Sequence, residues 1–114
     1  MPELRSPTQC HFWKLDNPTP QRNETENLQT YEDESHFFRA LLRCRDCGQL
    51  YFYEWYEETD WESGDDFSYQ TWVPVDQKDV DDLKKTDIWT IHQYTPRFIK
   101  DYRRDGSTKI GWIR

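Results

Sequence analysis

The stretch Leu41 to Tyr56, LLRCRDCGQLYFYEWY, constrains this chain more than any other. It joins an apolar run, a Cys44-x-x-Cys47 turn closed by Gly48, and a strand that is almost wholly aromatic or aliphatic. Two cysteines three apart let a tight turn aim both sulfurs at one metal ion. A glycine directly after them supplies the positive φ with which the backbone leaves such a turn. Half of a zinc ribbon reads this way. The other half must come from elsewhere, and the one further cysteine, Cys10, is followed directly by His11. Cys10, Cys44, Cys47 and one histidine would form a closed four-coordinate N/S set, the ligand chemistry of a structural zinc. His11 is the nearest histidine, but neighbours on a strand point to opposite faces, so Cys10 and His11 can share an ion only across a turn. His36, before the strand that leads to Cys44, is the alternative. His92 lies in an apolar context that suits a hydrogen-bonded core histidine. A redox Cys-x-x-Cys opens a helix after a strand, whereas Gly48 and the aromatic run continue this one as sheet.

The remaining pattern predicts a single α+β domain over residues 1–114: a small antiparallel sheet of three or four strands carrying a zinc-ribbon-like knuckle, with one or two short helices. Residues 1–9 read as a loose arm and 17–30 as a polar surface loop with Pro18 and Pro20. Cys10 to Leu15 reads as a short strand or knuckle. Residues 31–43 fit either a helix with an acidic first turn or a strand, and delivery of Cys44 into a ribbon turn favours strand for the last part. Gln49–Tyr56 is the most secure strand, with Leu50, Phe52 and Glu54 on one face and Tyr51, Tyr53 and Trp55 on the other. Phe67–Val75 returns beside it, with Pro74 at its end or at an edge. Asp76 is an N-cap for a helix to Lys85, with Val80 and Leu83 as its apolar stripe. Asp87–Tyr94 reads as a strand or half-buried turn, Thr95-Pro96 as the start of a helix over 97–104, and Thr108–Ile113 as a last strand.

Six Trp, seven Tyr and six Phe supply a core that the aliphatics alone would not. No apolar run is long enough to span a membrane, and the first residues lack a secretory signal's apolar segment. A cytoplasmic protein is expected, in which three cysteines mean metal before disulfides. The net charge of −7 is uneven. Residues 1–53 carry −2, residues 54–82 carry −10 and residues 83–114 carry +5. The acidic middle interleaves Glu54, Glu57, Glu58, Asp60, Glu62, Asp65 and Asp66 with Trp55 and Trp61, a composition suited to capturing a basic protein: aromatics anchor and carboxylates steer. Carboxylate pairs can also serve acid/base chemistry, but no phosphate loop, nucleophile elbow or metal-hydrolase motif accompanies them, so no enzyme is expected. The basic tail, with Arg97, Lys100, Arg103, Arg104, Lys109 and Arg114, is the alternative interface. It would contact nucleic-acid phosphates, unless its cations pair with the chain's own acids.

Cys10 to Leu15 (CHFWKL), Tyr31 to Phe37 (YEDESHF) and Cys44 to Glu54 (CRDCGQLYFYE) together resemble small bacterial proteins with a zinc-ribbon-like Cys/His-plus-CxxCG signature. Candidates for immunity proteins of contact-dependent toxin systems are among them. The resemblance covers residues 10–75 and leaves the basic tail unmatched. It implies a structural zinc and an acidic-aromatic face that neutralises a nuclease-type toxin. The alternative is a zinc-ribbon nucleic-acid-binding or transcription-associated protein working through residues 97–114.

Overall fold

Among the described residues, six strands lie in one sheet in the order in which they follow along the chain. The computed structural model describes residues 10–14, 24–59, 66–86, 90–103 and 106–113. The strands are β1 (Thr25–Glu34), β2 (Phe37–Cys44), β3 (Leu50–Thr59), β4 (Asp66–Val75), β5 (Arg97–Tyr102) and β6 (Thr108–Ile113), each antiparallel to the next. One helix, α1 (Gln77–Leu83), and two 3-10 turns, His11–Lys14 and Thr90–Gln93, complete the described elements.

The α+β class holds, with more sheet than the sequence predicted. Asp76 caps α1 as expected, its side chain and that of Asp79 exchanging backbone partners in a capping box. The expected division of β3 also holds. Phe52 packs on one face with Leu41, Val73, Val75, Val80, Leu83 and Ile91. Tyr51 and Tyr53 pack on the other with Cys44, Trp72, Phe98, Trp112 and the N-terminal Cys10 and Phe12. Pro74 sits opposite Tyr51, beyond Trp72, where regular β4–β5 pairing stops; there its missing N–H costs no ladder bond.

Two expectations fail, each for a reason visible in the sheet. The loop expected over 17–30 gives way to strand from Thr25, and its earlier part lies outside the described residues, as does the arm 1–9. β1 is an edge strand, exposed along most of its length, so it lacks the apolar alternation that marks a buried strand. Its pairing with β2 shifts register around Leu28 and Tyr31, irregularities that protect an edge, and Tyr31 turns inward to stack on Phe52 at 5.6 Å. The helix expected after Pro96 is strand β5. Phe98 and Ile99 are both buried because both faces of the sheet are covered here, and this doublet with Tyr102 imitates helical spacing. Where the sequence left strand and turn both open, the described residues form turns, a 3-10 turn after Cys10 at His11–Lys14 and another at Thr90–Gln93.

Candidate metal centre

β2 ends on Cys44, and the turn after it is tied by two backbone hydrogen bonds, Gly48 N–H to Cys44 O and Cys44 N–H to Gln49 O, each 2.9 Å. Gly48 leaves the turn at φ +81°, a conformation strained for any residue with a side chain. From the other end of the sequence comes the turn at Cys10, closed by Trp13 N–H to Cys10 O at 3.0 Å. Aromatic contacts dock it. Phe12 meets the Tyr51 ring edge-on at 6.2 Å and Trp13 meets Trp112 at 4.8 Å, while Trp112 Nε1–H donates to the Phe12 carbonyl at 2.9 Å.

The result is that the sulfurs of Cys10, Cys44 and Cys47 lie within 4.8 Å of one another. Cys10 and Cys44 are buried, Cys47 is exposed, and none is in a disulfide. Zinc–sulfur bonds of about 2.3 Å in a tetrahedron set sulfurs about 3.8 Å apart, so closure by about 1 Å completes a three-thiolate set. The donors fit a metal ion of that class. Burial pushes the Cys10 thiol up to about 12, outweighing the lowering influence of the Tyr51 hydroxyl. A metal must therefore displace protons, and its binding strengthens as pH rises.

Tyr51 was not among the expected site residues. Its hydroxyl is buried beside Cys10, makes no hydrogen bond of regular geometry, and is held protonated by burial and by the neighbouring thiols. It is placed to donate to a sulfur that has lost its proton. The parity of β3 carries the only sequence signal for it: Tyr51 stands opposite Leu42, on the face that Cys44 shares.

The candidate fourth ligands separate. The turn that a Cys10–His11 pair requires is present, but the His11 side chain lies outside the described residues. His36 is not at the site. It occupies the β1–β2 turn, at the opposite end of an eight-residue strand from Cys44, roughly 24 Å away at strand rise. There its Nδ1 lies 3.7 Å from Glu57. The hairpin, absent from the sequence reading, carries it away from the thiols.

The acidic-aromatic residues also divide. Glu54 belongs to the interior, 2 % exposed, with Oε2 3.3 Å from Nε of the equally buried Arg39, and so leaves the partner-facing set. Arg39 donates to the carbonyls of Thr86 at 2.6 Å and Leu83 at 3.2 Å, fixing the end of α1 to the sheet. Trp55, Glu57 and Glu58 are half-buried near the end of β3. Asp60, Trp61, Glu62 and Asp65 lie outside the described residues, and Asp66 is placed by its backbone alone.

His92 is the half-buried histidine expected. Its Nε2 lies 3.5 Å from Thr71 Oγ1 and 3.8 Å from Glu54 Oε1. Hydroxyl and carboxylate thus approach the same ring nitrogen, so the ring does not bridge acid to nucleophile as a hydrolytic triad does. Burial, then the Arg97 charge, lowers its pKa to about 4.

Cations of the C-terminal segment are partly engaged within the fold. Arg97 donates to the Tyr94 carbonyl at 3.0 Å, Arg103 lies 3.5 Å from the buried Asp101, and Lys100 sits 5.8 Å above the Tyr102 ring. Among the described residues no helix is long and apolar enough to cross a membrane.

Set against protein-family models, curated proteins and solved structures, the chain matches none.

Proposed function

We propose that this chain is a non-enzymatic binding protein. A structural zinc on Cys10, Cys44 and Cys47, with His11 as the fourth ligand, holds its N-terminal segment on the sheet. The opposite end of the sheet captures a basic protein, and an immunity protein that occludes a nuclease-type toxin is its concrete form. One observation carries the reading: the ends of β1 and β3 gather Glu32, Asp33, Glu34, Glu57 and Glu58 beside Phe38 and Trp55, at the end away from the thiols. Carboxylates there steer a cationic partner, and the aromatics supply contact area. The metal then has a mechanical role, keeping the cysteine end closed while the other end binds. Supporting the choice of binder over enzyme, the buried Glu54 is engaged by Arg39.

Elemental analysis with thiol titration tests the metal. One zinc per chain and three thiols protected until chelation are expected; reactive thiols and no metal would remove it. A triple Glu57→Lys, Glu58→Lys, Asp60→Lys variant tests the binding end. Its association with a basic nuclease domain should slow by at least about tenfold at low salt. An unchanged rate would discard the acidic end as the interface.

A further inference from the structure

On the face that carries Cys44, the N-terminal turn covers the rows of Tyr51 and Tyr53, and no described element covers the next row. Register sets Asp33, Phe38, Trp55 and Gln70 side by side across four strands in that row. Together with Tyr53 and Glu34 they line an open groove of about 380 Å³. Its floor is aromatic, the Phe38 and Tyr53 rings lying 6.0 Å apart with Trp55 beside them. Its rim is anionic. Glu26 pairs with Arg43 and Glu32 approaches Arg39 at 3.8 Å, but the side-chain carboxylates of Asp33 and Glu34 make no ion pair or hydrogen bond among the described residues.

We propose that this groove is a receptor for one guanidinium group, the side chain of an arginine on a protein partner. An aromatic floor attracts a cation through its ring faces, and a planar guanidinium stacks on Trp while donating in parallel to a carboxylate. A compact ammonium matches the same charge but not the plane, so arginine is preferred over lysine. Lys100 tunes the site. It lies opposite Gln70, on the same face, two strands from Trp55, roughly 10 Å away at ordinary strand spacing. Its charge opposes an incoming cation and weakens the groove without blocking it.

The inference rests on the proposed capture of a basic protein only in naming the source of the arginine, and a free probe tests the groove without a partner. N-acetyl-argininamide is titrated into the intact protein while backbone amides and tryptophan indole signals are followed by NMR. N-acetyl-lysinamide and the neutral isostere N-acetyl-citrullinamide serve as controls. The expected result is a saturable shift at Trp55, Phe38 and Gln70, with a dissociation constant on the order of a millimolar. Lysine should bind several-fold more weakly and citrulline at least about tenfold more weakly. Trp55→Ala should abolish the shift, Asp33→Asn with Glu34→Gln should weaken it at least about fivefold, and Lys100→Gln should strengthen it about twofold. Equal responses to argininamide and citrullinamide, or shifts confined to other residues, would overturn the proposal. If argininamide binds here while the lysine-reversal variant associates normally with a nuclease domain, the groove stands and the acidic-end reading falls.

Discussion

The two faces of the sheet are closed by different means. On one, α1 follows directly from β4, and seven residues suffice because they are anchored twice. Val80 and Leu83 sink among aliphatic side chains, and Arg39 reaches from β2 to the carbonyls at the helix end, with Glu54 balancing its charge. On the other, the cover comes from residues 10–14, far from the strands it meets, and its anchors are aromatic rings and three sulfurs. A helix this short is not stable alone, and neither is a single 3-10 turn, so each depends on its anchor. The first anchor is complete within the described side chains. The second includes three sulfurs close enough together to hold a metal ion.

That contrast can be broken most forcefully at Arg39. An Arg39→Leu variant leaves the Glu54 carboxylate buried without its cation and strips the helix end of its donor. It should lose about 3–5 kcal/mol in urea denaturation, and adding Glu54→Leu should restore most of the loss. A cost below about 1 kcal/mol would show that the pair does not anchor this face.

At the thiol face, Cys44→Ser should cost about 1–3 kcal/mol. Hydrogen exchange sharpens the comparison, because chelation should lower protection around Phe12 and Trp13 while leaving Val80 and Leu83 protected. Loss of protection on both faces together would mean that they are one cooperative unit.

Acid should act on the helix face through His92. Its folded pKa, about 4, lies below the ordinary 6.5, so as pH falls the unfolded chain takes up the proton first. The stability present above pH 6.5 is lost between there and pH 4 and then levels. Glu54 and Thr71 from the sheet and Arg97 from β5 face the ring; Glu54 favours the proton, but Arg39 already balances its charge. Because the ring is a quarter exposed, we expect a loss of about 1–2 kcal/mol, flattened in His92→Gln.

The smallest effect is expected at the acidic end. Glu57→Lys with Glu58→Lys should change stability by no more than about 0.5 kcal/mol while slowing partner association, which separates binding from both anchors.

Legibility in the sequence followed the same division. Gly48, the Cys-x-x-Cys turn, the alternation of β3 and the Asp76 cap are written locally and were read correctly. The three sulfurs could be nominated because few residue types bind metal, but their meeting depends on Trp13 and Trp112, almost a full chain length apart. Arg39 was hidden because a lone cation inside FFRALL has the same local pattern whether it snorkels or is buried. β1 and β5 were misread for opposite reasons: one is exposed on an edge and the other is buried on both faces, so neither shows period-two alternation. The groove lay unread because Asp33, Phe38, Trp55 and Gln70 come from four strands and acquire a common row only through register.

The sequential strand order has a kinetic consequence. Every pairing in the sheet joins neighbours along the chain, so the sheet can grow hairpin by hairpin with short loop closures. The contact between Phe12 and Trp112 is of another kind, spanning 100 residues, and has no partner until β6 is in place. A chain emerging from the ribosome would therefore offer its N-terminal segment Cys44, Cys47 and Tyr51 early, but could lock it with Trp112 only after the sheet is complete. That lock is the last of the segment's contacts to form, and native-state exchange of the Trp112 indole N–H, which donates to the Phe12 carbonyl, would report the lifetime of the closed form.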